Sequence, residues 1–319
     1  MLTEDGSRGG TGGFPERANI CAIVVTYNIG EAIHRCFDSI REQVAHIVIV
    51  DNGSDELTRR ELDKLAQANS TTLILNEKNE GIARALNQGI RCAIAKGYTW
   101  LLTLDHDSEA TPGMVDRLAQ AYITLHEQGL RDVAAVGANA LDRNAGLFLS
   151  ALPPRDTGGM PVELEHLISS GCLINGRVFD VVGPFNEQLF VYYVDTDFCL
   201  RLQRGGLRLF LCPEAVLLHS EGNKETHRFL GRRVLYNRYG KYARYYITRN
   251  CIYIMKTYGL GVGLSHQLIR RFFSDHAKLL LYDQERFSKM MFSLRGFLDG
   301  MRGRFGPMGS WGMNTLQGS

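Results

Sequence analysis

Hydrophobic positions in the first third of the chain follow two alternating rhythms. Ile20 to Tyr27 (ICAIVVTY) is a near-continuous apolar run, the mark of a strand covered on both faces. Ile33, Cys36, Phe37, Ile40 and Val44 then recur at helical spacing, and HIVIVD (His46 to Asp51) is a second strand. A helix follows around Leu57 to Ala68, TTLILN (Thr71 to Asn76) makes a third strand, and Ile82, Ala85, Leu86, Ile90 and Ile94 mark another helical face. TWLLTLD (Thr99 to Asp105) is the fourth strand. Strands alternating with helices imply a parallel sheet wound by right-handed crossovers, whose ligands bind beyond the carboxyl ends of the strands.

Beyond Leu130 the rhythm breaks. VAAVGA (Val133 to Ala138) reads as a strand, Pro153 to Pro161 as a Pro/Gly-rich loop, and LISSGCLIN (Leu167 to Asn175) as a buried strand. DTDFCLRLQRGG predicts a short helix, LRLFL and AVLLHS two strands, and Leu235 to Tyr258 an aromatic helix-like stretch, after which the chain looks helical and basic. No internal repeat is evident, and no apolar stretch reaches the roughly 18 residues of a membrane span.

Charge changes this picture at the back of the chain. The net charge of +2 hides 16 Lys/Arg against 4 Asp/Glu from Arg228 to the end, a surplus of +12, which leaves −10 in front. Basic residues interleaved there with Tyr and Phe suit an anionic membrane surface; the same aromatics equally suit a core of the tail or a homodimer through C-terminal helices. Nothing points to nucleic acid. The seven cysteines stand singly, several in apolar runs, and read as reduced core residues. The first nineteen residues are Gly-rich, carry charges of both signs and lack a secretion signal, so they read as a disordered tail on a cytoplasmic protein.

Polar residues gather at the strand ends: Thr26, Tyr27 and Asn28; Asp51, Asn52 and Gly53; Asn76, Asn79 and Gly81; Asp105 and Asp107. Asp105 and Asp107 flank His106, and two residues apart in an extended segment they point to one side. Such a pair ionises together in a closed site only beside a cation, so a divalent metal shared with substrate phosphates is the natural occupant; a solvated acid pair or a helix cap before Pro112 is the bland account. Asp51 can accept the N3 proton of uracil or thymine, a donor cytosine lacks, or it can simply stabilise its turn. Asp195 and Asp197 open an amphipathic helix, where capping needs only one acceptor. His219 closes AVLLHS, as a metal ligand or a structural hydrogen-bonder.

Together these segments resemble glycosyltransferase family two, and within it the bacterial rhamnosyltransferases of surface polysaccharide synthesis. The resemblance runs from about Ile20 to Asn250 through AIVVTYN, IVIVDNGS, NEKNEGIARALNQGI, LLTLDHDS, ISSGCLIN, YVDTDFCLR, VLLHS and YYITRN. It implies a nucleotide-binding GT-A fold, α/β with a mostly parallel sheet flanked by helices, and a helical basic C-terminal extension. It also implies that Thr26, Tyr27, Asn28 and Asp51 hold the nucleotide, with Asn79, Gly81 and Arg84 beside them. Asp105 lies near the ribose, Asp107 and His219 hold Mg²⁺ or Mn²⁺, and Asp195 is the base. Asp197, Arg201 and Arg249 are further candidates for acceptor or diphosphate contacts. One departure is that Val194 stands where relatives carry a Glu before the Asp.

The implied organisation is a tail over 1–19, a catalytic domain over 20–227 with a nucleotide half (20–110) and an acceptor half (111–227), and an extension over 228–319. The implied reaction is inverting transfer of a sugar, L-rhamnose from dTDP-rhamnose, to a saccharide or lipid-linked saccharide, in the cytoplasm or at the inner face of the membrane. A nucleotidylyltransferase should carry a Gly-rich basic loop where TYNIGEAIHR stands, and a dinucleotide oxidoreductase should carry G-x-G-x-x-G there. A non-catalytic nucleotide-sugar-binding protein leaves Asp195 and His219 without a task.

Overall fold

A computed structural model describes residues 13–150, 159–220, 224–229, 232–259 and 264–309. It divides into two compact units: residues 1–185 with 198–220, and residues 186–197 with 221–319.

The first unit is built on a ten-stranded mixed sheet. Its strands are β1 (Ile20–Thr26), β2 (His46–Asp51), β3 (Thr71–Leu75), β4 (Trp100–Asp105), β5 (Glu109–Ala110), β6 (Val133–Asp142), β7 (Leu147–Phe148), β8 (Val162–Leu164), β9 (Cys172–Asn175) and β10 (Arg208–His219). The order is β3-β2-β1-β4-β9-β6-β10-β5, with β7 on β6 and β8 on β10. The first four strands pair in parallel, as their rhythm implies, because three crossover helices join them in succession: α1 (Ile33–Ile40), α2 (Glu56–Leu65) and α3 (Ile82–Ala95). β9 then enters antiparallel between β4 and β6. The apolar runs are buried along their length, and the core packs them against α1, α2 and α4 (Met114–Glu127).

Several sequence boundaries move for identifiable reasons. The strand expected over Leu167–Asn175 is confined to Cys172–Asn175, since Gly171 adopts φ +76 and breaks the extended run. LRLFL and AVLLHS are one strand, β10, with a register shift between Cys212 and Val216 at Pro213, which has no N–H to give the ladder. The tail reading fits poorly over 13–19: Trp100 donates its indole N–H to the Gly13 carbonyl at 3.0 Å, and Phe14 packs edge-on against His126. Residues 1–12 and 153–158 of the expected tail and loop lie outside the described residues.

The second unit contains a hairpin of β11 (Lys224–Phe229) and β12 (Arg232–Asn237), then α7 (Lys241–Tyr258), α8 (Leu264–Tyr282) and α9 (Arg286–Met301). Leu235–Asn237, expected as helix, belongs to β12, and α7 begins only after Gly240, whose extended backbone (φ −69, ψ 165) serves as its N-cap. Between α7 and α9 the approach is backbone-close. A Cβ on Gly296 would sit 2.3 Å from the Tyr245 carbonyl oxygen, and one on Gly300 would sit 2.9 Å from that of Arg249. The remaining helices are α5 (Val178–Val182), in the first unit, and α6 (Val194–Arg204), within which the division falls. Among the described residues no helix is long and apolar enough to cross a membrane.

Candidate active site

The carboxyl ends of β1, β2 and β4 form the rim predicted for a ligand. At β1, Thr26 gives its hydroxyl proton to Asp51 Oδ1 at 3.1 Å, while Ser54 N–H donates to Asp51 Oδ2 at 3.0 Å. Asp51 has no exposed surface and staples the β1 and β2 loops together. Tyr27 is 44% exposed and offers a ring face at the rim. Asn28 adopts φ +50 and accepts from Asp55 N–H at 2.8 Å, so its amide holds the turn.

The 76–81 loop is fixed from the same side. Asn79 Oδ1 accepts from Asn52 Nδ2 at 3.1 Å and from Gly81 N–H at 2.9 Å. Gly53 is required here: at φ +80, a Cβ would lie 2.4 Å from the Lys78 backbone. Arg84 is half-exposed and pairs with Glu80 at 3.4 Å.

β4 ends at Asp105, and a turn rather than an extended segment carries His106 and Asp107. The turn still brings the acids to one place. Asp105, Asp107 and His219 each present a ligand atom within 4.8 Å of the others, the one such group of three among the described residues. Around a cation bound at about 2.1 Å, ligand atoms stand roughly 3 to 4.2 Å apart, so shifts of a few tenths of an ångström would close the set. His219 Nδ1 lies 3.9 Å from Asp107 Oδ1. Burial, and then the charges of Asp105, Asp107 and Glu109, push the Cys36 thiol well above its ordinary range.

Two serines absent from the sequence-based site set this cluster in place. Ser108 Oγ is 2.9 Å from His219 Nδ1 and 2.8 Å from Ser170 Oγ, and Ser170 Oγ accepts the Asp105 N–H at 3.0 Å. Both serines are buried. Ser170 lies in ISSGCLIN, whose small polar residues before a buried strand were the available signal. His106 Nδ1 accepts the Tyr27 N–H at 3.2 Å, tying the Asp105–Asp107 turn to the loop after β1.

Asp195 and Asp197 belong to the second unit, in the first turn of α6. They differ in setting. Asp197 is fully buried and its Oδ1 accepts the Tyr258 hydroxyl at 2.7 Å, whereas Asp195 is half-buried and its Oδ1 accepts from Thr196 N–H at 2.7 Å. The segment leading into α6 is conformationally costly: Phe190, Tyr192 and Tyr193 all adopt positive φ, at +66, +63 and +62. Its carbonyls are held from α7. Asn250 Nδ2 lies 2.9, 2.7 and 2.8 Å from the carbonyl oxygens of Leu189, Val191 and Tyr192. Arg249 Nη2 donates to Leu189 O at 2.8 Å, and its Nε donates to Asn250 Oδ1 at 2.9 Å. Arg249 is fully buried, which lowers its pKa, and its guanidinium is engaged with protein oxygens. Arg201 Nη1 donates to the carbonyls of Val182 and Gly183.

Residues 21–135 match the model of the family described as glycosyl transferase family 2. Over 298 residues the chain is 28% identical to the dTDP-rhamnosyl transferase RfbF of Shigella flexneri, covering 90% of this chain and 96% of that protein. The chain is similar to glycosyltransferase family 2 and is rhamnosyltransferase-like. It is also 27% identical to the galactofuranosyltransferase GlfT1 of Mycolicibacterium smegmatis over 271 residues, 79% of this chain and 87% of that one. Among solved structures, S. aureus TarS 1-349 aligns with a TM-score of 0.54 at 14% identity, over 90% of this chain and 82% of that chain. GalNAc-T7, solved with UDP, GalNAc and Mn²⁺, aligns with a TM-score of 0.53 at 18% identity, over 67% of this chain and 44% of that chain. The fold of this enzyme is therefore of the GT-A type, as the sequence resemblance implied. Both the family and these relatives favour a glycosyltransferase over a nucleotidylyltransferase or a non-catalytic sensor.

Proposed function

We propose that this glycosyltransferase moves L-rhamnose from dTDP-rhamnose to a hydroxyl of a saccharide or lipid-linked saccharide during surface polysaccharide synthesis, with inversion at the anomeric carbon. The observation that carries the donor is the similarity to a dTDP-rhamnosyl transferase along 96% of that protein. The gathered Asp105, Asp107 and His219 support a divalent ion, Mg²⁺ or Mn²⁺.

In this reading Tyr27 lies against the base, Asp51 and Asn79 fix the loops that receive the nucleotide, and Gly81 opens α3 with its backbone free of a side chain. Arg84, near the start of α3, offers positive charge to the diphosphate. Asp105 lies by the ribose. Asp107 and His219 hold the cation, which when bound supplies positive charge against the departing diphosphate. Asp195 takes the proton from the acceptor hydroxyl as its oxygen attacks the anomeric carbon opposite the leaving group. Its partial exposure supports this role over Asp197, whose buried carboxylate is occupied by Tyr258. The free cysteines suit the reducing cytoplasm.

The test is release of dTDP from dTDP-rhamnose with purified protein, acceptor and Mg²⁺ or Mn²⁺, beside UDP-, GDP- and CDP-sugars. Turnover fastest with dTDP-rhamnose supports the assignment; turnover confined to a purine nucleotide sugar overturns it.

A further inference from the structure

Helix α9 is turned the wrong way round for a helix of a water-soluble protein. Its buried positions are Lys289, Ser293, Gly296, Asp299 and Gly300. Phe287, Met291, Leu294, Leu298 and Met301 are exposed, from 40% to 78%. Their spacing of four and three residues places all five on one face. The buried polar residues are satisfied within the unit: Lys289 Nζ lies 2.7 Å from Asp283 Oδ2, Tyr245 donates its hydroxyl to Asp299 Oδ2 at 2.9 Å, and Ser293 Oγ is 3.2 Å from His276 Nε2. The glycines allow the close contact with α7. The packing of α9 onto its own unit is thus complete without the apolar face.

Charge decides what covers that face. Arg286, Arg302 and Arg304 are exposed and Arg295 is partly so, while the acid of this stretch, Asp299, is buried and lies 3.9 Å from Arg295 and 3.7 Å from Arg304, so one carboxylate stands against four arginines. In a seam formed with a second copy, Arg295 and Arg302 would flank the contact on both helices with no carboxylate at the facing positions, and such positions set pairing. Phe297, 42% exposed beside the stripe, makes the apolar surface wider than a two-helix seam uses. A wide apolar face edged by arginines that outnumber the one carboxylate near them fits a layer that is apolar inside and anionic at its surface.

We propose that the outward face of α9 rests on an anionic lipid bilayer, with Phe287, Met291, Leu294, Leu298 and Met301 at the acyl boundary and the arginines among the headgroups. Phe273, Leu280 and Leu281 of α8 are likewise exposed, and Arg270 and Arg271 are exposed on the same helix. The surface would bring the enzyme to a lipid-linked acceptor, but it does not depend on the donor or on the identity of the base.

The full-length protein is sedimented with vesicles of phosphatidylcholine, alone or mixed with phosphatidylglycerol, and its mass is measured by light scattering. Binding to the mixed vesicles, weakened by salt, is expected. L294S/L298S should lose it, and R286Q/R302Q should weaken it about 25-fold, about fivefold per arginine. Both variants should keep wild-type thermal unfolding and turnover with a water-soluble acceptor, because the substituted side chains are exposed and outside the proposed catalytic set. Failure to bind anionic vesicles at low salt, or binding that survives L294S/L298S, overturns the proposal. A dimer that L294S/L298S converts to monomer, without vesicle binding, replaces lipid with a second copy. Vesicle binding is read without donor or acceptor, so it stands or falls separately from the transferase assignment.

Discussion

Asn250 lies outside the proposed catalytic set, yet replacing it with alanine should damage turnover more than donor binding. Its amide contacts three carbonyls of the Leu189–Tyr192 segment, in which Phe190, Tyr192 and Tyr193 hold positive φ. Each such residue costs about 1–2 kcal/mol, so roughly 3–6 kcal/mol of strain is held in the turn immediately before Asp195. An amide has two donor hydrogens, and leaving two largely buried carbonyls unpaired costs about 1–3 kcal/mol apiece. The clamp and the strain are of similar size, so the turn relaxes when the clamp is removed.

The start of α6, with Asp195, moves as the turn relaxes. A positioned base is worth about 10² to 10⁴ in rate, and a displaced one should lose much of this, so we expect kcat to fall about 100-fold in Asn250→Ala with KM for the donor unchanged. The residues proposed to receive the nucleotide, Thr26 to Arg84, lie in the other unit, so calorimetric binding of the nucleoside diphosphate should persist. The assay pairs kcat and KM with that titration on protein shown to be folded. Wild-type kcat in Asn250→Ala would refute the reasoning, and so would equal loss of nucleotide binding and turnover, since that is the signature of a merely destabilised chain.

Asp107→Ala should abolish transfer while the fold survives, and excess EDTA should silence the wild type; full turnover in EDTA would remove the metal from the mechanism. Asp195→Asn should keep nucleotide binding and lose transfer by orders of magnitude, whereas an active Asp195→Asn beside a dead Asp197→Asn would reassign the base. Gly296→Ala should lower stability by about 3 kcal/mol, because its Cβ would meet the Tyr245 carbonyl at 2.3 Å, and an unchanged unfolding midpoint would show that α9 shifts freely. Burial, chiefly, holds the His276 pKa below its ordinary value, so the stability His276 contributes is complete above about pH 6.5 and is lost as pH falls towards the depressed value. Thermal unfolding followed from pH 7.5 to 5 should therefore show a loss that His276→Gln lessens; an identical loss in both proteins would exclude this histidine.

The front of the fold was legible because parallel strands covered on both faces must be apolar along their length, and β1, β2 and β4 are. The acidic cluster was legible for the same reason, since a strand end fixes where Asp105 emerges. What periodicity could not supply was the partner of each polar group. Ser108 and Ser170 are ordinary residues in the sequence and become positioning groups only because β9 enters antiparallel beside β4, a pairing between segments some 70 residues apart. Asn250 and Arg249 read as ends of a motif, and their targets are backbone carbonyls, which no side-chain pattern encodes.

Helix α9 shows where such pattern reading stops. A stripe at helical spacing says that one face is apolar, and ordinary folding physics would turn that face inward. Here the inward face is occupied by what tight packing on α7 demands: two glycines that admit the neighbouring backbone, Lys289 paired with Asp283, and Asp299 hydrogen-bonded by Tyr245 and flanked by Arg295 and Arg304. Turning the helix over would put Met291 and Leu298 against a backbone that has room for no Cβ at positions 296 and 300, and would strip the buried Asp283 of its lysine. The outward apolar face is therefore fixed by the polar contacts beneath it, and its cover has to come from outside the unit.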